Sequence, residues 1–578
     1  MEKKLFSEFP PVSKQQWEEV ITADLKGADY DKKLVWKTEE GFSIRPYYVE
    51  EDITRLEYLK NFAGKNTAGQ PNDWEIRQDF YTGNIAHLAS DAVKRGAQSV
   101  GISVANVKTA TDLSSLLKGI DPAATGIHFT ESKSVLETMS FFAEYLKNNK
   151  IDSTKVYGSI SGCNKDSDKV IMEYGKAFPH FRFIEIKAYR LRNMGCTVSQ
   201  ELGFAIANAV AVLNELTEKG FSIDDVLPRM TLHFATGSNY FIEIAKIRAS
   251  RVLFNAIAAE YGSKNGAQIF IHSSSSTWSK AVYDPYVNML RSTTETMSAA
   301  IGGADSISTI NFDCAYEKAD DFSARIARNQ QILLKEESFV DKVADPAAGS
   351  YYIEHISDAI AEAAWKIFLT VEEKGGYYAA RNGYVMPEVE KSAAERLKDV
   401  SSRKKFILGV NQYPNLNETM LDKIGDELHA SHASGEIEKL RLETEKAVKD
   451  GKRKPKVFLL TYGNLAMRKA RAGFATNFFG CAGYEIIDNA GFKTGIEGAE
   501  AALAAGADIT VLCSSDDEYA ALVAEAVPAL KGKTAVVLAG YPKEQIEEFT
   551  AQGVEEFIHI RSNVLNVLTV FNKKLLSA

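Results

Sequence analysis

Between about Gly41 and Val385, short apolar runs alternate with longer stretches in which apolar residues recur every three or four positions. Ser99-Val-Gly-Ile-Ser-Val, Phe183-Ile-Glu-Ile, Met230-Thr-Leu-His-Phe and Gln268-Ile-Phe-Ile-His each precede one of these helix-patterned stretches. A strand that is followed each time by a helix returns to its starting edge and lies parallel to the last. Repeated along residues 41–385, the unit predicts a closed TIM (β/α)8 barrel with insertions. Polar groups cluster at the carboxyl ends of the runs, where such barrels place their working loops, and His272-Ser-Ser-Ser-Ser-Thr-Trp278 is the clearest cluster.

The flanks follow other patterns. Residues 1–40 are polar and aromatic, with Phe6-Ser-Glu-Phe-Pro-Pro11 leading into a short amphipathic helix around Trp17 to Leu25; they predict an arm rather than a domain. Residues 386–454 turn helical and highly charged, and Asp450-Gly-Lys-Arg-Lys-Pro-Lys456 has the composition of a linker. Residues 455–578 hold five strand-like runs: Val457-Phe-Leu-Leu, Tyr484-Glu-Ile-Ile, Ile509-Thr-Val-Leu-Cys, Thr534-Ala-Val-Val-Leu and Glu556-Phe-Ile-His-Ile. Helical stretches separate them, which predicts a flavodoxin-like, doubly wound sheet. The fold class expected is therefore α/β, a barrel followed by a flavodoxin-like domain.

Composition narrows the partners. The 578 residues carry a net charge of −9, and no Lys/Arg stripe interleaved with aromatics marks a nucleic-acid surface. Cys163, Cys196, Cys314, Cys481 and Cys513 are odd in number and widely spaced, which argues against a disulfide framework or a zinc cage and for reduced thiols in the cytoplasm. No apolar run approaches the length of a membrane span, and the amino terminus lacks a signal-like apolar region. Small molecules and proteins remain as partners.

Three stretches are specific: Asn239-Tyr-Phe-Ile-Glu-Ile-Ala-Lys-Ile-Arg248, Asp321-Phe-Ser-Ala-Arg-Ile-Ala-Arg-Asn329 and Val343-Ala-Asp-Pro-Ala-Ala-Gly-Ser-Tyr-Tyr-Ile-Glu354. With Asp284-Pro-Tyr-Val-Asn-Met-Leu-Arg291 and Asp73-Trp-Glu-Ile-Arg-Gln78, they resemble the methylmalonyl-CoA mutase family from about Gly41 to the carboxyl terminus. The resemblance implies a barrel enclosing an acyl-CoA and a flavodoxin-like domain that binds adenosylcobalamin over its mouth. The radical chemistry in such enzymes belongs to the cofactor, and the protein binds and orients it.

The residues for that task depart from the family pattern together. Cobalamin-binding members carry Asp-x-His-x-x-Gly after the first strand of the last domain. Here Leu465, Met467 and Ala470 stand at those positions, and a Met at such a corner usually packs. Ser514-Ser515 and Ala539-Gly540 match positions that line the nucleotide tail, while Asp516 and Ala539 replace the usual Leu and Gly. In the barrel, Ile76-Arg77-Gln78-Asp79 replaces the family's Tyr by Asp79, which is expected to bring an unpaired carboxylate to the site. Ala188-Tyr189-Arg190 replaces the family's substrate-contacting His by Arg190. No arginine lies between Arg95 and Arg182 to grip a substrate carboxylate, and the Thr-His-Arg-Gly loop is missing after Ser99 to Lys108.

Other candidates have plainer readings. His272 and its serines read as a structural loop at a strand end, with Ser274 in place of the family's Gln. The Asp345-Pro-Ala-Ala-Gly-Ser turn reads as fold punctuation, and His128, His233 and His355 as satisfied structural histidines. Arg325 and Arg328 share a helix face, where an internal contact and a partner interface compete evenly, and Cys196 lacks an activating neighbour. No catalytic, cofactor-binding or metal residue is assigned. The resemblance and its departures imply a small, non-catalytic subunit paired with a large catalytic chain. Adenosylcobalamin is expected on that large chain and not on this one, and the arm from Leu5 to Trp17 is expected to wrap the partner. Two alternatives stay open: an active acyl-CoA mutase whose pocket Arg190 and Asp79 redefine, and a corrinoid carrier or assembly protein.

Overall fold

The computed structural model describes residues 9, 12–60, 71–162, 166–267, 269–317, 320–424 and 432–576. Residues 5–8, 10 and 11 of the Leu5–Trp17 arm, and Cys163, lie outside the described residues. The first helix, Lys14–Asp24, starts ahead of the apolar pattern because Ser13 and Gln16 form a reciprocal capping box. It buries none of its residues. A two-residue antiparallel ladder follows, β1 (Trp36–Lys37) against β2 (Ser43–Ile44).

The main sheet contains β3 (Glu75–Phe80), β4 (Ser99–Ser103), β5 (Gly126–Thr130), β6 (Tyr157–Ile160), β7 (His180–Arg182), β8 (Ile184–Ile186), β9 (Met230–Thr236), β10 (Phe270–Ser275) and β11 (Ser306–Ser308). Their order is β7-β6-β5-β4-β3-β11-β10-β9-β8, with every pairing parallel. Only Phe183 separates β7 from β8. The two segments are one strand broken at its midpoint, pairing with β6 through its first half and with β9 through its second. That strand closes the ring, and eight strands form the barrel expected from the alternating pattern. Strands β4, β5 and β9 are buried at every position, since helices cover one face and the barrel axis the other.

Alternation along β3 sets the chemistry. Gln78 points outward, donating to Ala324 O and accepting from Arg328 Nη1 at 2.9 Å. Glu75, Arg77 and Asp79 consequently face the axis. Outside the ring, helices Val198–Glu218, Tyr240–Glu260 and Tyr351–Glu373 pack on one another. Arg248 reaches from the second to Asp345 and Glu354, tying the Asp345 turn to the helix that follows it. Inside the same layer Lys246 pairs with Glu201 at 2.6 Å and Glu243 at 2.7 Å, and Arg192 with Glu243 at 3.0 Å.

Helices Met386–Ser401 and Gly435–Lys449 lead to the second sheet. It comprises β12 (Lys456–Thr461), β13 (Glu485–Ile487), β14 (Ile509–Cys513), β15 (Ala535–Ala539) and β16 (Glu556–Ile558), in the order β13-β12-β14-β15-β16. All pairs are parallel, and this order is the flavodoxin-like one, with its switch point between β12 and β14. The α/β class expected from the sequence is what the structure shows.

Candidate functional site

At the carboxyl end of the barrel the charged groups are partnered with one another. Arg77 Nε donates to Asp79 Oδ1 at 2.7 Å and Ser308 Oγ to Asp79 Oδ2 at 2.6 Å. The expectation of an unpaired carboxylate at Asp79 is thus overturned: the arginine two residues earlier points to the same face and supplies the counter-charge. Burial alone would push the Asp79 carboxyl up, but Arg77 and Ser308 outweigh it and hold the group below its ordinary range.

The axial histidines are tied in the same way. His128 places Nε2 3.0 Å from Glu75 Oε2 and Nδ1 2.8 Å from Ser159 Oγ. His233 places Nδ1 2.8 Å from Glu185 Oε1 and Nε2 3.1 Å from Ser274 Oγ. Burial opposes ionisation of Glu185, yet the His233 hydrogen bond and charge hold its carboxyl at about 2. His272 and Ser273 to Ser275 belong to β10 itself rather than to a loop, because the parallel ladder with β9 continues through Ser275. Burial, Arg77 and the neighbouring histidines keep His272 neutral, well below the ordinary imidazole range. His355 lies elsewhere, stacked on Tyr48 with ring centroids 4.3 Å apart; its buried Nδ1 has no hydrogen-bond partner, against the expectation of a satisfied histidine.

A cavity of about 340 Å³ remains above this network, lined by Asp79, Tyr81, Tyr189, His233, Ser274 and Asn311 among others. Among the described residues its lining includes no arginine. Arg190 stands exposed on the rim, its Nε 3.4 Å from the Tyr189 hydroxyl. Burial pushes the Cys314 thiol at the cavity wall, and Cys481 in the second sheet's layer, up to about 12, and raises Cys196 and Cys513 as well. None of the four is poised as a nucleophile. Of the two helix-face arginines, Arg328 is buried against Gln78 and Arg325 stays exposed beside the Phe322 ring.

The carboxyl edge of the second sheet is also self-contained. Asn464 caps the Leu465–Gly480 helix, its Oδ1 accepting from the Ala466 and Met467 N–H groups at 3.1 Å. Leu465 and Met467 sit in the first turn, 55% and 38% exposed. Glu518 crosses from the far side of the switch point and accepts from Ser514 Oγ at 2.7 Å, Ser515 Oγ at 2.6 Å and Asn464 N at 3.0 Å. It closes over Gly463, whose φ of +70° and lack of a Cβ leave room for the carboxylate. These bonds hold Glu518 at about 2. The sequence reading passed over Glu518, although Ser515-Asp-Asp-Glu518 spells a capping box.

Among the described residues no three His, Cys, Asp or Glu side chains are grouped to hold a metal, and no helix is long and apolar enough to cross a membrane. A closed parallel barrel with a flavodoxin-like second sheet defines the scaffold class: a barrel-type α/β protein carrying a doubly wound second unit. The methylmalonyl-CoA mutase family model matches residues 165–454. A methylmalonyl-CoA mutase small subunit from Porphyromonas gingivalis is 43% identical, covering 99% of this chain and 98% of its own. A small subunit of the same name from Streptomyces virginiae is 29% identical over 95% and 96%, and a methylmalonyl-CoA mutase from Rhizobium meliloti 31% identical over 71% and 65%. The chain belongs to the methylmalonyl-CoA mutase family, whose chemistry is isomerisation.

Proposed function

We propose that this chain is the non-catalytic small subunit of a cytoplasmic, heterodimeric, adenosylcobalamin-dependent methylmalonyl-CoA mutase, which interconverts methylmalonyl-CoA and succinyl-CoA. The observation that carries the reading is that polar groups at both expected sites spend their hydrogen bonds on each other. In the barrel, Asp79 and Glu185 are matched by Arg77 and His233, and among the described residues the cavity lining offers a substrate carboxylate two carboxylates, Asp79 and Glu317, and no guanidinium. Two relatives with near-complete coverage carry the small-subunit name.

The second sheet does not fit a corrinoid held in the family's way. Leu465 and Met467 supply neither an imidazole nor a carboxylate to orient one. The Ser514 and Ser515 hydroxyls, which would line a nucleotide tail, are taken up by Glu518. Adenosylcobalamin would therefore reside on the large subunit, and this chain would support that subunit across a pseudo-symmetric interface of the kind homodimers use. The test is titration of the chain, purified alone, with adenosylcobalamin while the corrin spectrum and the heat of mixing are followed. Absence of saturable binding, with persistent one-to-one copurification of a larger mutase chain, is expected. Stoichiometric cobalamin binding by the lone chain would overturn the assignment.

A further inference from the structure

A second cavity, of about 310 Å³, lies off the barrel axis where the rim meets the segment leading to the second sheet. Its floor is cationic. Arg192, Arg396, Lys405 and Arg291 all line it. Arg192 belongs to the balanced set in which two cations, Arg192 and Lys246, meet two carboxylates, Glu201 and Glu243. Among the described residues the remaining three cations have one carboxylate within ion-pair distance. Glu39 lies 3.2 Å from Arg396 Nε and 3.6 Å from Lys405 Nζ. Among the described residues Arg291 has no carboxylate within ion-pair distance, and it donates to Asn288 Oδ1 and Leu408 O. Glu295, which acts on Arg291 from farther off together with Glu438 and Asp284, is already paired with Lys280 at 2.5 Å.

Burial is deep on this floor. Arg192 and Arg396 are buried, and Arg396 places its guanidinium 5.0 Å from the Trp278 ring centroid. Cations that outnumber the carboxylates in ion-pair contact with them raise the free energy of an empty, part-buried hollow, and an anion entering it lowers that energy. The upper wall has the opposite character. Leu290 and Phe406 flank the opening 68% and 59% exposed, with Leu408 beside them half exposed, and large apolar groups seldom gather at a mouth without a ligand to cover.

We propose that this cavity binds a small organic anion: a carboxylate or similar head on the Arg291, Arg396 and Lys405 floor, with a short apolar body against Trp278, Leu290 and Phe406. The site is distinct from the barrel axis and the sheet edge, and it holds whether or not the chain lacks catalytic activity. A ligand there bridges the amino-terminal segment that carries Glu39, the barrel rim and the Met386–Ser401 helix, so occupancy locks that junction.

The experiment is calorimetric titration of the full chain with hexanoate, using hexylamine and hexanol as controls of the same body, alongside the melting temperature. Two variants locate the site without touching its buried arginines. Lys405→Gln removes a half-exposed cation, and Leu290→Trp fills the mouth from an exposed position. Saturable one-to-one hexanoate binding that raises the melting temperature, weakens at least tenfold in K405Q and disappears in L290W supports the site, provided hexylamine does not bind. No saturable hexanoate binding by the wild-type chain overturns it. So does binding that both variants retain unchanged, or binding of hexylamine and hexanoate alike.

Discussion

Asp79 and Gly101 are register partners on neighbouring barrel strands, and a Cβ built at Gly101 would overlap Asp79 Oδ1. The glycine is thus the space into which the Arg77–Asp79 pair folds. Gly101→Ala is expected to displace the carboxylate from Arg77 and destabilise the barrel by about 2 kcal/mol. Asp79→Ala, which strands the buried guanidinium, should cost about 3 kcal/mol. In the Asp79→Ala background the Gly101→Ala change should cost less, because the overlap with the carboxylate is gone and only the movable end of Arg77, 2.9 Å from the added Cβ, remains to shift. Denaturant titrations of the four proteins close the cycle; strictly additive losses would disprove the coupling.

Glu518 gives a pH signature. Its folded pKa, about 2, lies below that of an ordinary unfolded carboxyl, so its hydrogen bonds stabilise the fold fully above the unfolded value near 4.3. That contribution fades as pH falls toward 2. Wild type should accordingly be more stable than Glu518→Gln at pH 6, and the gap should narrow steadily between pH 5 and pH 3. Equal stabilities at pH 6, or a gap that widens on acidification, would contradict the assigned contacts.

The same carboxylate limits attempts to rebuild a cofactor site. Leu465→Asp with Met467→His restores the residue types of the family's motif at exposed positions of the first helical turn. Ser514, Ser515 and the Asn464 N–H nevertheless remain bound to Glu518. The double variant is expected to stay folded and to leave the corrin absorption spectrum unchanged on addition of adenosylcobalamin. Spectral saturation by the double variant would mean that Glu518 is not the obstacle.

Much of this was legible beforehand, and its limits have physical causes. Strand periodicity marked β9 and β14, since continuous burial on both faces leaves long apolar runs in the sequence. It missed the division of β7 from β8 at Phe183, which rests on pairing with two different neighbours. The Asp79 substitution stands out in the sequence, and its pairing with Arg77 follows from spacing, since residues two apart on a strand share a face. Ser273 to Ser275 read as a loop because serines mark turns; in β10 they extend the strand, Ser274 reaching His233 and Ser273 reaching Thr236. The sparsely compensated floor of Arg291, Arg396 and Lys405 could not be read at all, as its members lie on separate elements brought together only by the fold.

The buried cluster around Lys246 predicts a large, specific loss. Lys246, Glu201 and Glu243 are fully buried, and Lys246 also donates to Ala235 O at 2.8 Å at the end of β9. Lys246→Met keeps the volume but leaves Glu201 and Glu243 close together with only Arg192 to neutralise them. A loss of about 3 to 5 kcal/mol is expected, as for other broken buried pairs. Pairing it with Glu201→Gln should recover part of that loss, because the uncompensated carboxylate is removed. Chemical denaturation followed by far-UV circular dichroism measures both, and a change under 1 kcal/mol for the single variant would show the cluster to be solvated or relaxed.

The arm separates folding from assembly. The Lys14–Asp24 helix buries none of its residues, and Trp17, 55% exposed, lies beside the Tyr47 ring at a centroid distance of 5.5 Å. Its ion pairs to the body are Lys14–Asp52 at 2.5 Å and the exposed Glu18–Arg45 at 3.8 Å, the second of a kind that contributes about 1 kcal/mol or less. An amphipathic helix left so open contributes little to its own fold and has an apolar face to offer a partner. Deleting residues 1–24 should therefore leave the barrel's unfolding midpoint nearly unchanged while weakening the complex with the large subunit at least tenfold. Analytical ultracentrifugation of the mixed chains reads the second effect and circular dichroism the first. Assembly at full strength without the arm would place the interface elsewhere, and a truncated chain that failed to fold would show that the helix serves the barrel after all.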